Sequence, residues 1–101
     1  MSEPALPTDL LQVLTSLGEP DEMALLLQDL LTPAETEALA ERWAIVKQLA
    51  SGQSQRAVRD AVGVSITTVS RGSRQLKYGS GGFNLAFDQL VALGHDDPRQ
   101  S

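Results

Sequence analysis

Glycine and proline divide this chain of 101 residues into short segments, and within each segment the apolar residues recur at intervals of three and four. That spacing places them on one face of a helix, and no segment alternates with the period of two that a half-buried strand requires. We therefore predict an all-α fold with six helices. Their expected ranges are Thr8 to Ser16, Pro20 to Leu31, Pro33 to Ala50, Gln55 to Val62, Ile66 to Lys77 and Phe83 to Leu93.

The length allows one domain, which we place at residues 1–94, followed by a polar and frayed tail at residues 95–101. The chain has no cysteine, so disulfides, thiolate metal ligands and thiol nucleophiles are excluded. Its N-terminus lacks a basic and apolar leader, and no apolar run approaches the ~20 residues of a membrane span. We expect a cytoplasmic protein without membrane attachment.

Charge is distributed unevenly along the chain, whose net charge is −5. Residues 42–77 carry seven basic side chains against Asp60 alone, a local charge of +6, so the remaining residues together carry −11. A basic segment on an acidic chain predicts a surface that faces an anionic partner.

The basic segment also has the pattern of a helix-turn-helix at about residues 54–77. Ser54 and Ser65 can cap two short helices, and Gly63 can take the positive φ that ends the first. In such a motif the N-terminal end of the second helix reads base edges in the major groove, while cations near it bind phosphates. The predicted base-contacting residues are Ile66, Thr67, Thr68 and Ser70, and the predicted phosphate-binding residues are Gln55, Arg56, Arg59, Arg74 and Lys77.

Catalytic motifs are missing from the sequence. The only histidine, His95, lies in the polar tail, and the glycines at 79, 81 and 82 lack the Lys-Ser/Thr ending of a phosphate loop. We predict neither an enzyme nor a metal site.

Residues 31–77 resemble the Trp operon repressor family. Four stretches carry the resemblance, in the same order: L-T-P-A-E-T-E-A-L-A-E-R at 31–42, S-Q-R at 54–56, G-V-S-I at 63–66 and T-V-S-R-G-S-R-Q-L-K at 68–77. The resemblance implies an interwound homodimer of six-helix subunits that binds double-stranded operator DNA when L-tryptophan is present as co-repressor, with no other cofactor.

The resemblance also implies a ligand site. Arg42 and Arg71 would flank the indole ring, and Arg42 would meet the ligand carboxylate, since a planar guanidinium can both stack on a ring and bind a carboxylate. Gly72 would let the ring approach the backbone, with close packing of two helices as the alternative reason for a glycine there. Three further residues, Leu30, Leu31 and Thr32, would be contributed by the second subunit.

Two departures from the family keep alternatives open. Gln75, also a predicted ligand residue, stands where the family has a small hydroxyl near the ligand ammonium; it can accept the same hydrogen bond, or its bulk can narrow the pocket or alter the choice of ligand. The Gly-rich joint from Tyr78 to Phe83 resembles an uncharacterised branch of the same superfamily. One alternative is therefore a DNA-binding regulator that needs no ligand. The other is a helical protein-interaction module whose basic segment meets an acidic partner.

Overall fold

The computed structural model describes residues 4–100, and within this range it contains six α-helices and no strand. The all-α prediction is confirmed, and each helix boundary lies within one residue of its predicted position. Residues 1–3 and 101, the ends of the predicted domain and tail, lie outside the described residues. The helices are α1 (Thr8–Ser16), α2 (Pro20–Leu30), α3 (Pro33–Ala50), α4 (Gln55–Val62), α5 (Ile66–Tyr78) and α6 (Gly82–Ala92).

The chain forms two compact units, one ending at Glu37 and the other beginning at Ala38. The first unit holds α1, α2 and the start of α3. The second unit holds the rest of α3 together with α4, α5 and α6. A single domain over residues 1–94 stays a prediction.

The first unit has a well-defined helix start and little burial. Thr32 and Glu35 form a capping box at the start of α3, because the Glu35 N–H donates to Thr32 Oγ1 at 3.2 Å and the Thr32 N–H donates to Glu35 Oε1 at 2.9 Å. This confirms Thr32 as the N-cap. Neither α1 nor α2 contains a buried residue, and Leu25 is 64% exposed.

The second unit contains a small apolar core. Ile45 of α3, Val58 of α4 and Val69 of α5 are each at most 1% exposed and pack together. The partly buried residues around them are Leu49, Val62 and Val64. Each of the three helices thus contributes one fully buried β-branched side chain. The burial of this apolar surface holds α4 and α5 against α3.

A second contact region of this unit joins α3 to α6. Phe87 is fully buried, and its ring lies 5.7 Å from that of Trp43, measured between centroids. Aromatic pairs at this separation stabilise a core beyond the area that they bury.

The polar tail differs from the frayed end that we expected. Arg99 donates to Asp97 Oδ1 at 2.8 Å and to Asp88 Oδ1 at 2.8 Å, and its guanidinium carbon lies 5.7 Å from the centroid of the Phe87 ring. Hydrogen bonds from Arg99 lower the pKa of Asp97 below its ordinary value of 3.8. The tail therefore closes back on α6 through one arginine, a contact between residues 11 positions apart that local sequence pattern does not reveal.

Candidate DNA interface and ligand pocket

The turn between α4 and α5 has the geometry that its sequence predicts. Gly63 lies in the left-handed region at φ 81° and ψ 34°, which closes α4 without the steric cost that a side chain would add. Ser54 Oγ accepts from the Ala57 N–H and Ser65 Oγ accepts from the Thr68 N–H, each at 3.1 Å. The two short helices thus meet at a tight turn with both N-termini capped, as in a helix-turn-helix.

The N-terminal end of α5 presents a small mixed surface to solvent. Ile66 is 42% exposed, and Thr67 and Thr68 are exposed beside it. The Thr68 and Ser65 hydroxyls lie 2.8 Å apart, so Thr68 is held in place by its own helix cap. Hydroxyl and methyl groups of this kind match the donors, acceptors and thymine methyls of a major groove.

Ser70 and Gln55, both predicted to contact DNA, contact each other in the described structure. The Ser70 hydroxyl donates to Gln55 Oε1 at 2.8 Å, and both residues are half-buried. This bond links the start of α4 to α5 across 15 residues of sequence. This hydrogen bond adds to the apolar packing that holds α4 against α5.

The predicted phosphate-binding cations differ in their exposure to solvent and in their ion pairs. Arg56, Arg74 and Lys77 are exposed, whereas Arg59 is half-buried and its Nε donates to Asp60 Oδ1 at 2.9 Å. The side chain turns to its sequence neighbour Asp60.

A cavity of about 370 Å³ lies between α3, α5 and the start of α6, entirely within the second unit. Such a volume falls within the usual range for small-molecule sites. Helix α3 contributes residues at intervals of three and four, and α5 contributes one face in the same way, so both walls follow from helical periodicity. The lining residues are Ala38, Glu41, Arg42, Ile45, Val46, Thr67, Thr68, Arg71, Gly72, Gln75 and Phe83.

Four of the seven predicted ligand residues line this cavity: Arg42, Arg71, Gly72 and Gln75. Both arginines are exposed, with their charge at the opening, and the buried side chains of Ile45 and Val46 form the floor. Leu30, Leu31 and Thr32 belong to the first unit and do not line the cavity. Their contribution from a second subunit stays a prediction.

Gly72 has a packing role that the sequence did not separate from a ligand role. A Cβ atom placed on Gly72 would lie 2.9 Å from Ile45 Cγ2, which is closer than carbon atoms approach in proteins. Because Ile45 is buried and cannot move aside freely, the crossing of α3 and α5 already requires glycine here. The same glycine lines the cavity, so the backbone of α5 is open to a ligand at this point.

Gln75 stands between two cavities. Together with Phe83 it also lines a second cavity of about 350 Å³ beside the glycines that join α5 to α6. Its Oε1 lies 3.2 Å from the position that a Cβ atom on Gly79 would take. The amide oxygen of Gln75 is thus directed toward the joint.

Several cavity residues were not predicted from the sequence, most notably Glu41 and Phe83. Ala38, Ile45 and Val46 follow from Arg42 by stepping three or four positions along α3. Phe83 carries no such signal, because its place depends on how the chain turns after α5.

No group of three His, Asp or Glu side chains among residues 4–100 is arranged to hold a metal ion. Within the same residues, no helix combines the length and apolar character that a membrane span requires.

The model of the family described as Trp repressor protein matches residues 8–91 of this chain. The chain belongs to the Trp repressor protein family. Members of this family are regulatory DNA-binding proteins and not enzymes. The family match favours a DNA-binding regulator over the protein-interaction module.

Individual relatives within the Trp repressor family support the same assignment. A protein named Trp operon repressor homolog from Vibrio vulnificus (strain YJ016) is 43% identical over 68 residues, which cover 66% of this chain and 67% of the relative. A protein of the same name from Vibrio cholerae is 42% identical over 72 residues, 70% of each chain. Uncharacterized protein YerC from Bacillus subtilis is 31% identical over 75 residues, covering 74% of this chain and 72% of that protein. No solved structure matched the chain.

Proposed function

We propose that the protein is a homodimeric transcriptional repressor that binds operator DNA when L-tryptophan occupies the cavity between α3 and α5. The observation that carries this proposal is that Thr67 and Thr68 belong to both surfaces. They line the cavity, and they form the exposed N-terminal end of α5 together with Ile66. A ligand in the cavity therefore touches the helix that would enter the major groove.

The cavity has the chemistry of an aromatic amino-acid site. Ile45, Val46 and Phe83 supply apolar surface for a ring, and Arg42 and Arg71 supply planar cations at the opening. A guanidinium can stack on an indole ring and can also bind a carboxylate through two parallel hydrogen bonds. Tryptophan offers both groups.

A ligand in this position would act by shifting a population. Without it, α5 would sample more than one orientation against α3. With it, the orientation that fits DNA would be favoured in proportion to the ligand's higher affinity for that state. The bond between Ser70 and Gln55 keeps α4 and α5 together, so we expect the helix pair to move as one piece.

The homodimer is supported by the exposed leucines of the first unit. Leu11, Leu25 and Leu30 are 47%, 64% and 49% exposed, and a helix pair with such an apolar surface is typical of a protein interface. In the dimer, Thr32 of the partner subunit would complete the ligand site, as the family resemblance implies. A cytoplasmic location is part of this proposal.

The test is to measure DNA binding with and without L-tryptophan, using a duplex selected from a random pool by the protein in the presence of the amino acid. We expect Arg71→Ala to abolish the effect of L-tryptophan on duplex affinity while leaving the oligomeric state unchanged, because it removes one cation from the cavity. Lys47→Ala is the matched control, since Lys47 is a base on α3 that does not line the cavity. A ligand response that persists in Arg71→Ala would exclude this site.

A regulator of the same family that needs no ligand is the second candidate. It is favoured by Gln75, whose long side chain lies at the border of the two cavities. Calorimetry with L-tryptophan at millimolar concentration separates the two candidates. Absence of heat, together with duplex binding that weakens steeply as salt rises, would favour ligand-independent regulation, since phosphate contacts release counterions.

A further inference from the structure

We propose that Glu41 determines which ligands the cavity accepts, by binding the ammonium group of an α-amino acid and disfavouring carboxylic acids that lack one. This inference rests on the proposed function, because it assigns a role to a residue of the same cavity. It places the contact to the ammonium group on α3, in addition to Gln75 of α5, the position that the family resemblance puts near that group.

The position of Glu41 is the first argument. It lies on the face of α3 that lines the cavity, one residue before Arg42 and one turn before Ile45. It is half-buried, whereas Arg42 and Arg71 are exposed. Among the described residues that line the cavity, Glu41 is the only acidic side chain.

The second argument is that the charges around the cavity are not paired with one another. Among residues 4–100 the ion pairs join Arg59 to Asp60 and Arg99 to Asp88 and Asp97. None of them involves Glu41, Arg42 or Arg71. Two cations and one anion thus surround an apolar floor without neutralising each other, and each is available to a ligand.

The third argument is complementarity. A zwitterionic amino acid carries one carboxylate and one ammonium group next to each other, and its side chain extends from the same carbon. Arg42 or Arg71 can bind the carboxylate, Glu41 can accept from the ammonium, and the side chain can lie on Ile45 and Val46. An acid without the ammonium group would leave Glu41 unpaired and would bring a second carboxylate toward it, which is unfavourable at a half-buried site.

Discrimination among three ligands of similar shape tests this assignment. L-Tryptophan carries both charged groups, indole-3-propionate keeps the ring and the carboxylate, and tryptamine keeps the ring and the ammonium. Calorimetric titration of the full chain should show that the wild type binds L-tryptophan at least about tenfold more tightly than indole-3-propionate, a preference of about 1.4 kcal/mol or more.

In Glu41→Gln we expect that preference to fall to about twofold or less, because affinity for L-tryptophan drops while affinity for indole-3-propionate stays or rises. Tryptamine should bind more weakly to this variant than to the wild type. Glu41→Asp keeps the charge and should retain part of the preference. Glu37→Gln is the matched control, since Glu37 is an exposed acid on the same helix that does not line the cavity.

Two negative results have different meanings. If the wild type binds L-tryptophan and Glu41→Gln keeps the wild-type preference while its thermal unfolding is unchanged, the role of Glu41 is overturned and the ligand site stands. If the wild type binds none of the three compounds, the tryptophan-responsive function falls and the role of Glu41 falls with it. If Glu41→Gln unfolds early, Glu41→Ala replaces it, and a wild-type preference in that variant would also overturn the assignment.

Discussion

The two units of this chain differ in both burial and charge. All eight lysine and arginine residues follow residue 37, whereas eight of the thirteen acidic residues precede residue 38. The five fully buried apolar side chains all lie in the second unit, and α1 and α2 of the first unit have none. Both units expose leucines, such as Leu25 at 64% in the first and Leu85 at 69% in the second, but only the second unit also has fully buried apolar side chains.

In the proposed homodimer, this difference would make the first unit the part that depends on association. Apolar side chains that stay exposed contribute little to the stability of a lone chain, because they remain in contact with water in the folded state. A second copy that covered the leucines of the first unit would supply the missing burial. The second unit, with its packed core, would then present the DNA surface.

The largest expected effect contrasts one buried and one exposed apolar residue. Phe87→Ala removes a fully buried ring that packs on Trp43, and we expect it to lower the free energy of unfolding by about 3 to 5 kcal/mol. Urea denaturation followed by circular dichroism measures this loss. A loss below about 1 kcal/mol would show that α6 is not part of the core.

Leu25→Ala is the counterpart in the first unit. In an isolated chain we expect its effect on unfolding to stay within about 0.5 kcal/mol, because Leu25 is 64% exposed. In a homodimer the same change should raise the dissociation constant, so the stability loss should depend on protein concentration. Sedimentation equilibrium of both proteins checks this, and an unchanged self-association would contradict an interface built on α2.

An intermediate effect is expected where α5 crosses α3. Gly72→Ala gains helix propensity worth about 1 kcal/mol but places a Cβ atom against the buried Ile45, and overpacking of this kind costs about 1 to 3 kcal/mol. We expect a net loss of about 1 kcal/mol in thermal unfolding. A variant more stable than the wild type would mean that the helices separate easily at this point.

An effect of similar size is expected at the capping box of the first unit. Thr32→Ala should lower the free energy of unfolding by about 1 kcal/mol, because the Glu35 N–H loses its acceptor. Hydrogen bonds from the Thr32 backbone and side chain lower the pKa of Glu35 below its ordinary value of 4.5. Because the pKa of Glu35 is lower in the folded than in the unfolded chain, its ionised carboxylate stabilises the fold above pH 4.5. This stabilisation is lost as the pH falls through the folded pKa.

The pH dependence provides the control for the cap. Below pH 4.5 the free energy of unfolding should fall less in Glu35→Gln than in the wild type, because the variant lacks this carboxylate. The loss of stability caused by Phe87→Ala should not depend on pH in that range. Denaturation at neutral pH and near pH 3.5, about one unit below the ordinary value, compares the three proteins. An identical pH profile for wild type and Glu35→Gln would show that the capping bond does not form in solution.

Local signals predicted the helices of this chain well. Thr32, Ser54 and Ser65 each cap the helix that follows, and Gly63 adopts the left-handed conformation expected of it. Each of these effects involves residues at most four positions apart, and such effects are visible in the sequence.

The candidate site was predictable only in part. Arg42, Arg71 and Gly72 were named through a family resemblance, and the structure brings them to one cavity. The pairing of Ser70 with Gln55 was missed, because the sequence shows that both side chains are polar without showing that they meet.

The sequence by itself determined the six helices, their caps, the tight turn between α4 and α5 and the segregation of charge. Only the tertiary structure decided that Ile45 leaves no room for a side chain at position 72, that Glu41 faces the same cavity as Arg71, and that Arg99 returns to α6. The physical reason is the distance along the sequence over which each effect acts. Caps and turns depend on neighbours within one helical turn, whereas these contacts depend on the angle and distance at which helices pack, which the combined burial of many side chains sets.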